Sequence, residues 1–216
     1  MEILKTVAVI AAAYLIGSFN TAILYTRSVL KCDVREQGSK NAGATNVARV
    51  FGPKAGALTL VGDFLKTALS MLIGHLLMGR EGVLAAAMAC TVGHCWPVYY
   101  GFKGGKGVAV GAAVALLLYP RAFGVMLTTF LLMFILTHKV SVCSLTGALM
   151  FPISLVIFGV HDTLTLVCAV FVTVVVWFMH RENLKRLRAG TEPEFAFVGK
   201  KKQKDAVGKT DQEGES

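Results

Sequence analysis

Charge is what this chain lacks most. Only 16% of its 216 residues are Asp, Glu, Lys or Arg, whereas 55% are hydrophobic and the mean hydropathy is +0.62. A chain this apolar cannot hide its side chains in one soluble core, which excludes an ordinary water-soluble domain. Paired thiols are missing as well. The five cysteines, Cys32, Cys90, Cys95, Cys143 and Cys168, are odd in number, form no CxxC and lie mostly in apolar segments. They read as small packing residues rather than disulfides or metal ligands. The five histidines make no HExxH or other metal-binding spacing, so no metal and no cofactor is expected. No internal repeat is evident.

What is there instead is a succession of apolar runs. Roughly 20 apolar residues cross the hydrocarbon of a bilayer. Candidate spans fall at 3–26, 56–79, 82–101, 105–119, 121–138, 140–160 and 163–179. The expectation is an all-α, polytopic helical membrane bundle of about seven transmembrane helices, with the fourth unusually short. Residues 1–199 form its single domain, and the polar tail 200–216 has the composition of a disordered segment. The first span reads as a retained helix rather than a cleaved leader, because Glu2 spoils a basic start and the apolar run continues through Leu15, Phe19 and Leu24.

Charge then orients the bundle. With seven spans, one side receives Arg27, Lys31, Arg35, Lys40, Arg49, Lys54, Lys103, Lys106, Lys139 and nine basic residues from Arg181 onward. The other side receives Lys5, Arg80 and Arg121. Basic residues near span ends are retained in the cytoplasm, so the N-terminus is expected outside and the C-terminus in the cytoplasm. The formal net charge of +9 is then mostly a property of the cytoplasmic face. It suits membrane lipid and phosphorylated metabolites rather than nucleic acid.

Three polar clusters interrupt the apolar chain, all on that same side. The first, "GSKNAGATNVARVFG" (38–52), offers small donors and acceptors in Ser39, Asn41, Thr45 and Asn46, with Arg49 beside them. Helix capping would need one such residue rather than four. The second, "YYGFKGGKGVAVGAA" (99–113), sets Lys103 and Lys106 among Gly104, Gly105 and Gly107 at a helix start. Converging backbone N–H groups there would make an anion site. The bland alternative is interfacial anchoring by lysine. Val108 stands where a P-loop would carry Ser or Thr. The third, "HRENLKRLRAGTEPEF" (180–195), puts His180, Asn183 and Leu187 on one helical face with Arg186 adjacent. A basic amphipathic surface helix is its alternative.

Asp63 and Lys66, three apart inside the second span, are costly in lipid. They are expected to pair with each other or to face a polar cavity, as a structural pair or as substrate contacts. Ser141 and Ser144 follow the fifth span, where serines commonly cap a helix.

These residues resemble the three signature regions of the bacterial acyl-phosphate:glycerol-3-phosphate acyltransferases, and "LVGDFLKTAL" resembles that family's second-span pattern. The match runs in order from about residue 14 to 192, and the middle motif is highly specific. Lys40 and Ala42 depart from the family's glycine and proline, and "GSFN" (17–20) from its first-span segment. The resemblance implies a bacterial inner-membrane enzyme with its active site on the cytoplasmic side. It would move a fatty acyl group from a long-chain acyl phosphate to the sn-1 hydroxyl of glycerol 3-phosphate, the first step of phospholipid biosynthesis. It also implies catalytic roles for Ser39, Arg49, His180 and Asn183, glycerol phosphate binding at Gly104, Gly105 and Gly107, and a structural role for Glu192. Coupling to the enzyme that produces acyl phosphate is the partner it suggests.

The chemistry agrees with the clusters. Two phosphate-bearing substrates, one with a fatty chain, need fixed positive charge beside an apolar groove. An acyl phosphate carries a good leaving group, so positioning and charge stabilisation suffice. Asn41, Thr45, Asn46, Lys66, Lys103, Lys106, Ser141 and Arg186 are the expected substrate contacts, with Asp63 structural. No His is followed five residues on by Asp, which disfavours the HxxxxD class of acyltransferase. A transporter of phosphorylated anions or a lipid-binding scaffold are the rival classes. The first calls for more mid-span polar residues than Asp63 and Lys66, and the second leaves the Ser/Asn/Thr loop without a purpose.

Overall fold

A computed structural model describes residues 1–196; the tail 200–216 lies outside the described residues. Nine α-helices make up the described chain: α1 (Glu2–Ser18), α2 (Thr21–Ser28), α3 (Ala44–Phe51), α4 (Pro53–Cys95), α5 (Val108–Leu118), α6 (Pro120–Thr137), α7 (Val140–Ile157), α8 (Thr163–Met179) and α9 (Arg181–Arg188). Long leucine-rich faces on α1, α4, α6, α7 and α8 are exposed: Leu4, Leu65, Leu132 and Ile135 are each more than half bare. Water would not tolerate that surface, and lipid hydrocarbon does.

Continuous helix assignment hides a reversal in α4. Lys66 and His94 touch at 2.9 Å, yet 28 residues of straight helix would hold them about 42 Å apart. The chain turns back at Met78 and Gly79, where Gly79 takes φ 58° and ψ −136°. Its two limbs then approach so closely that a Cβ on Gly74 or Gly82 would strike the backbone of the other. The spans expected at 56–79 and 82–101 are these two limbs.

Two other spans differ from expectation. Residues 3–26 are not one helix: Asn20 accepts a hydrogen bond from the Ile23 amide at 3.1 Å, starting α2 afresh, and the axis bends by 41°. The fourth span is α5 alone, 11 residues long and so about 16 Å, half a bilayer core. It is short because the chain, after an exposed turn at Gly101 and Phe102, runs inward over 104–107, and Gly107, in the left-handed conformation at φ 79°, starts the helix below the surface.

Small residues let the helices close up. Gly17 and Gly93 bring α1 against the second limb of α4, and Gly62 receives the side chain of Thr21. The main core gathers Leu84, Cys90, Val110, Val114, Phe151, Cys168 and Val172 from α4, α5, α7 and α8. Cys90, Cys95, Cys143 and Cys168 are buried free thiols. The packing gathers the loops 29–43, 96–107, 138–139 and 180–196 at one end of the bundle. Arg80 in the α4 turn and Asp162 before α8 pair at 2.9 Å at the opposite end.

Candidate functional site

One cavity of about 610 Å³ opens among α3, α4, α5, α6, α7, α8 and the segment after α9. Its upper wall is polar: Ser39, Asn41, Thr45, Asn46, Arg49, Lys106, Ser141, His180, Asn183, Arg186 and Glu192. Its lower wall is apolar: Leu60 and Phe64 of α4, Ala112 of α5, Phe123 to Phe134 of α6, Phe151 of α7 and Val172 of α8. From Phe134 to Phe123 that wall descends about 16 Å. Leu60, Leu127 and Leu131 line the cavity and are also exposed on the lipid-facing side, so it opens laterally.

The first motif is a loop wound around Asn46. This buried side chain donates to the carbonyls of Val34 (3.1 Å), Gln37 (2.9 Å) and Asn41 (3.1 Å), and accepts from the Ser39 amide at 2.9 Å. Both of its N–H donors are thereby taken up within the protein. Asn46, expected to contact substrate, lines the cavity and also shapes the loop, which sets Ser39, Asn41 and Thr45 beside the start of α3, where helix amides favour an anion. Arg49, one turn on, stands over the Phe195 ring at 5.3 Å.

The second motif corrects a further expectation. The amides of Gly104 and Gly105 do not form an open nest: they donate to the carbonyls of Cys95 (3.2 Å) and His94 (3.1 Å). A Cβ at Gly104 would strike the His94 carbonyl, and one at Gly105 the His94 imidazole. Gly104, Gly105 and Gly107 permit close packing and lie off the cavity wall, as does Lys103, whose side chain is exposed. Within 103–107, Lys106 alone lines the cavity. Burial, together with repulsion from Arg186 and Arg49 that Glu192 partly offsets, pushes its pKa down to about 8.

The third motif meets the second through a chain of hydrogen bonds. Lys106 Nζ donates to Asn183 Oδ1, Asn183 Nδ2 donates to Glu192 Oε1 at 2.6 Å, and Arg186 Nε donates to Glu192 Oε2 at 2.7 Å. Despite its burial, these donors and Ser141 hold the Glu192 carboxyl below its ordinary range. Ser141 lies in the first turn of α7, yet its side chain does not cap the helix; it is buried at the cavity beside Glu192. His180 sits where α8 bends by 58° into α9. Its Nδ1 is 2.8 Å from the Val176 carbonyl, which can only accept, so the ring proton is on Nδ1 and Nε2 is free.

Asp63 and Lys66 pair at 2.9 Å, both buried. Asp63 Oδ1 also accepts from Thr21 at 3.1 Å, and Lys66 Nζ donates to the Phe19 carbonyl at 3.1 Å. Asp63 touches the cavity wall; Lys66, expected to contact substrate, does not. Its three hydrogen-bonding directions are taken up by Asp63, Phe19 and His94.

Several functional side chains escaped sequence reasoning. His94 shares the Asp63–Lys66 cluster, and a histidine inside an apolar span was a signal available to find it. Asp33 binds Arg27 and Arg35, and Arg35 reaches over to the carbonyls of Tyr100 (2.9 Å) and Lys103 (3.3 Å), stapling the first loop to the second. Burial opposes ionisation of Asp33, but hydrogen bonds from Arg35 and Arg27 prevail and hold its pKa near about 2. The aromatic wall of α6 carried no signal beyond apolarity.

A family model described as glycerol-3-phosphate acyltransferase matches residues 7–190. A glycerol-3-phosphate acyltransferase of Alkaliphilus metalliredigens (strain QYMF) is 38% identical over 193 residues, covering 89% of this chain and 96% of that protein. Among solved structures, PlsY (YgiH), an integral membrane glycerol 3-phosphate acyltransferase, is similar in its glycerol 3-phosphate form, with a TM-score of 0.82 and 32% identity over 88% of this chain and 96% of that one. Its lysphosphatidic acid form gives a TM-score of 0.80 at 32% identity, covering 88% and 95%.

Proposed function

Because the chain belongs to the glycerol-3-phosphate acyltransferase family, we propose that it transfers a fatty acyl group from an acyl phosphate to the sn-1 hydroxyl of glycerol 3-phosphate. The products are lysophosphatidate and inorganic phosphate, and the reaction opens phospholipid synthesis. The observation that carries this reading is the two-part cavity: cationic and hydrogen-bonding groups at one end, an aromatic groove open to lipid at the other. A phosphorylated head and a fatty tail need that combination at a membrane boundary.

In this reading the Ser39–Thr45 loop and the start of α3 hold one phosphate, and Lys106, Arg49 and Arg186 hold the other. The glycerol hydroxyl oxygen bonds to the acyl carbonyl carbon, the bond from that carbon to the phosphate oxygen breaks, and the hydroxyl proton passes to a phosphate oxygen. His180 and Asn183 orient the reactants. Among the described residues no carboxylate is bonded to the His180 imidazole, which favours a positioning role over that of a general base. The site faces the cytoplasm of a bacterial inner membrane that the chain crosses about seven times, N-terminus outside, and it receives acyl phosphate from the enzyme that makes it.

Phosphate release by the purified protein in detergent, with acyl phosphate present and glycerol 3-phosphate added or omitted, tests the reaction. Acceptor-dependent release is expected; a transporter or scaffold gives none. His180→Ala is expected to keep a measurable turnover number, and complete loss with unchanged substrate binding would return the histidine to the role of base.

A further inference from the structure

The Asp63–Lys66 pair lies beneath the site, and its contacts lead to both substrate loops. Lys66 Nζ donates to His94 Nδ1 at 2.9 Å, and Asp63 Oδ1 is 3.5 Å from the same nitrogen. An ammonium can only donate, so Nδ1 accepts and the ring proton sits on Nε2. That Nε2 edge and the His94 carbonyl form the seat of Gly105: the carbonyl takes the Gly105 amide at 3.1 Å, and the ring leaves no room for a Cβ there. Lys106 is the next residue. On the other side, Asp63 holds Thr21 and Lys66 holds the Phe19 carbonyl, fixing the break between α1 and α2. At that break Asn20 donates to the Ala42 carbonyl of the first loop at 3.2 Å, and that carbonyl also faces Gly105.

We propose that Asp63, Lys66 and His94 are positioning residues for the acyl transfer, fixing Lys106 relative to the first-motif loop so that the two phosphate-holding groups keep their separation. This rests on the acyltransferase reading of the site. Asp63 and His94 reach the cavity wall and Lys66 does not; none is assigned a reacting atom in that scheme, and they act through Gly105 and Ala42. A buried ion pair is a weak device for stability, since well-packed neutral groups commonly replace it without loss. Its worth here is in geometry, where a displacement of about 1 Å at a reacting group costs up to a hundredfold in rate.

The variant D63N/K66Q removes the pair without leaving one charge uncompensated. It is expected to reach the membrane, to melt near the wild-type temperature in detergent, and to lose about tenfold to a hundredfold in kcat. A second readout separates positioning from mere destabilisation. Lys106 faces Arg49 on α3, His180 at the α8–α9 bend, Arg186 on α9 and Glu192 beyond it, and burial among them sets its titration near about 8. Once Gly105 is unseated, Lys106 gains water, and the alkaline limb of the rate profile is expected to move upward. A loss of folded protein would lower the whole profile and leave the limb in place.

His94→Gln is the second variant, keeping the ion pair and losing the ring edge against Gly105; the same upward shift is expected. If either folded variant shows wild-type kcat and an unmoved limb, the positioning role is overturned. If D63N/K66Q does not fold, His94→Gln alone decides by the same criterion. Wild-type protein without acceptor-dependent phosphate release would instead overturn the acyltransferase reading itself, so the two failures are distinguishable.

Discussion

At the scale of single residues, the buried Asn46 side chain organises the first loop from within. Asn46→Ala would leave the Ser39 amide without its acceptor and take one of two donors from each of the Val34, Gln37 and Asn41 carbonyls, which keep the amides of Gln37, Lys40 and Gly43. One such amide left unpaired costs about 1–3 kcal/mol, so we expect a modestly lowered melting point and a raised KM for glycerol 3-phosphate. Thermal unfolding and steady-state kinetics on one preparation check both. Lys106 supplies the pH dependence. Its charged form dominates below about 8, so activity that relies on the charge should fall as pH rises past that value. Stability has the opposite sign: between about 8 and 10.5, the ordinary lysine value, the unfolded chain binds the extra proton, so this group makes the native state more stable as pH rises. Lys106→Arg should keep rate at alkaline pH where the native enzyme loses it. Glu192 raises the Lys106 pKa, so Glu192→Gln should move the alkaline limb downward; an upward shift would contradict the arrangement.

At the scale of elements, the α4 hairpin and the α6 wall each carry a prediction. Gly74 and Gly82 are backbone against backbone, whereas Gly79 in the turn has open space but a conformation foreign to other residues. Gly79→Ala should therefore cost about 1–3 kcal/mol of strain, and Gly74→Val should prevent closure of the limbs, read as loss of protein from the membrane fraction. In the groove, Ala112→Phe places a ring against the α6 wall, with Phe123 and Phe130 on the same cavity. It should raise KM for long-chain acyl donors and spare short ones, measured across a chain-length series. Apolar runs made the helices legible in the sequence, because a span needs little beyond length and apolarity. The bend at Asn20 and the dipping loop before α5 were not legible, since both depend on partners far along the chain, Ala42 and His94. Likewise the residue types of the site were readable at Ser39, Arg49, Lys106, His180 and Asn183, which converge on one cavity. Their division of labour was not. That the donors of Asn46 and the amide of Gly104 are already engaged within the protein shows only in the tertiary fold.

At the scale of the whole molecule, the fold gathers three loop systems at one end of the bundle and leaves the other end almost without basic charge. Phosphates drawn to that end meet a cavity whose lower half opens to lipid, so head and tail can enter from different phases. That arrangement works in a cell only if the loop end is cytoplasmic, where phosphorylated substrates are made. Labelling decides it. Four of the five cysteines are buried and Cys32 is half-exposed, so Cys32→Ser provides a background of low reactivity. Single cysteines at Lys54, Lys103 and Arg181 should then resist a membrane-impermeant maleimide in intact cells and react after lysis, while one at Glu81, exposed in the opposite turn, should react from outside. Among the described residues, 13 basic side chains on the loop end against three on the other predict this orientation. Reaction of any of the first three in intact cells would place the loops proposed to hold phosphate away from their substrates and remove the physical basis for the proposed reaction.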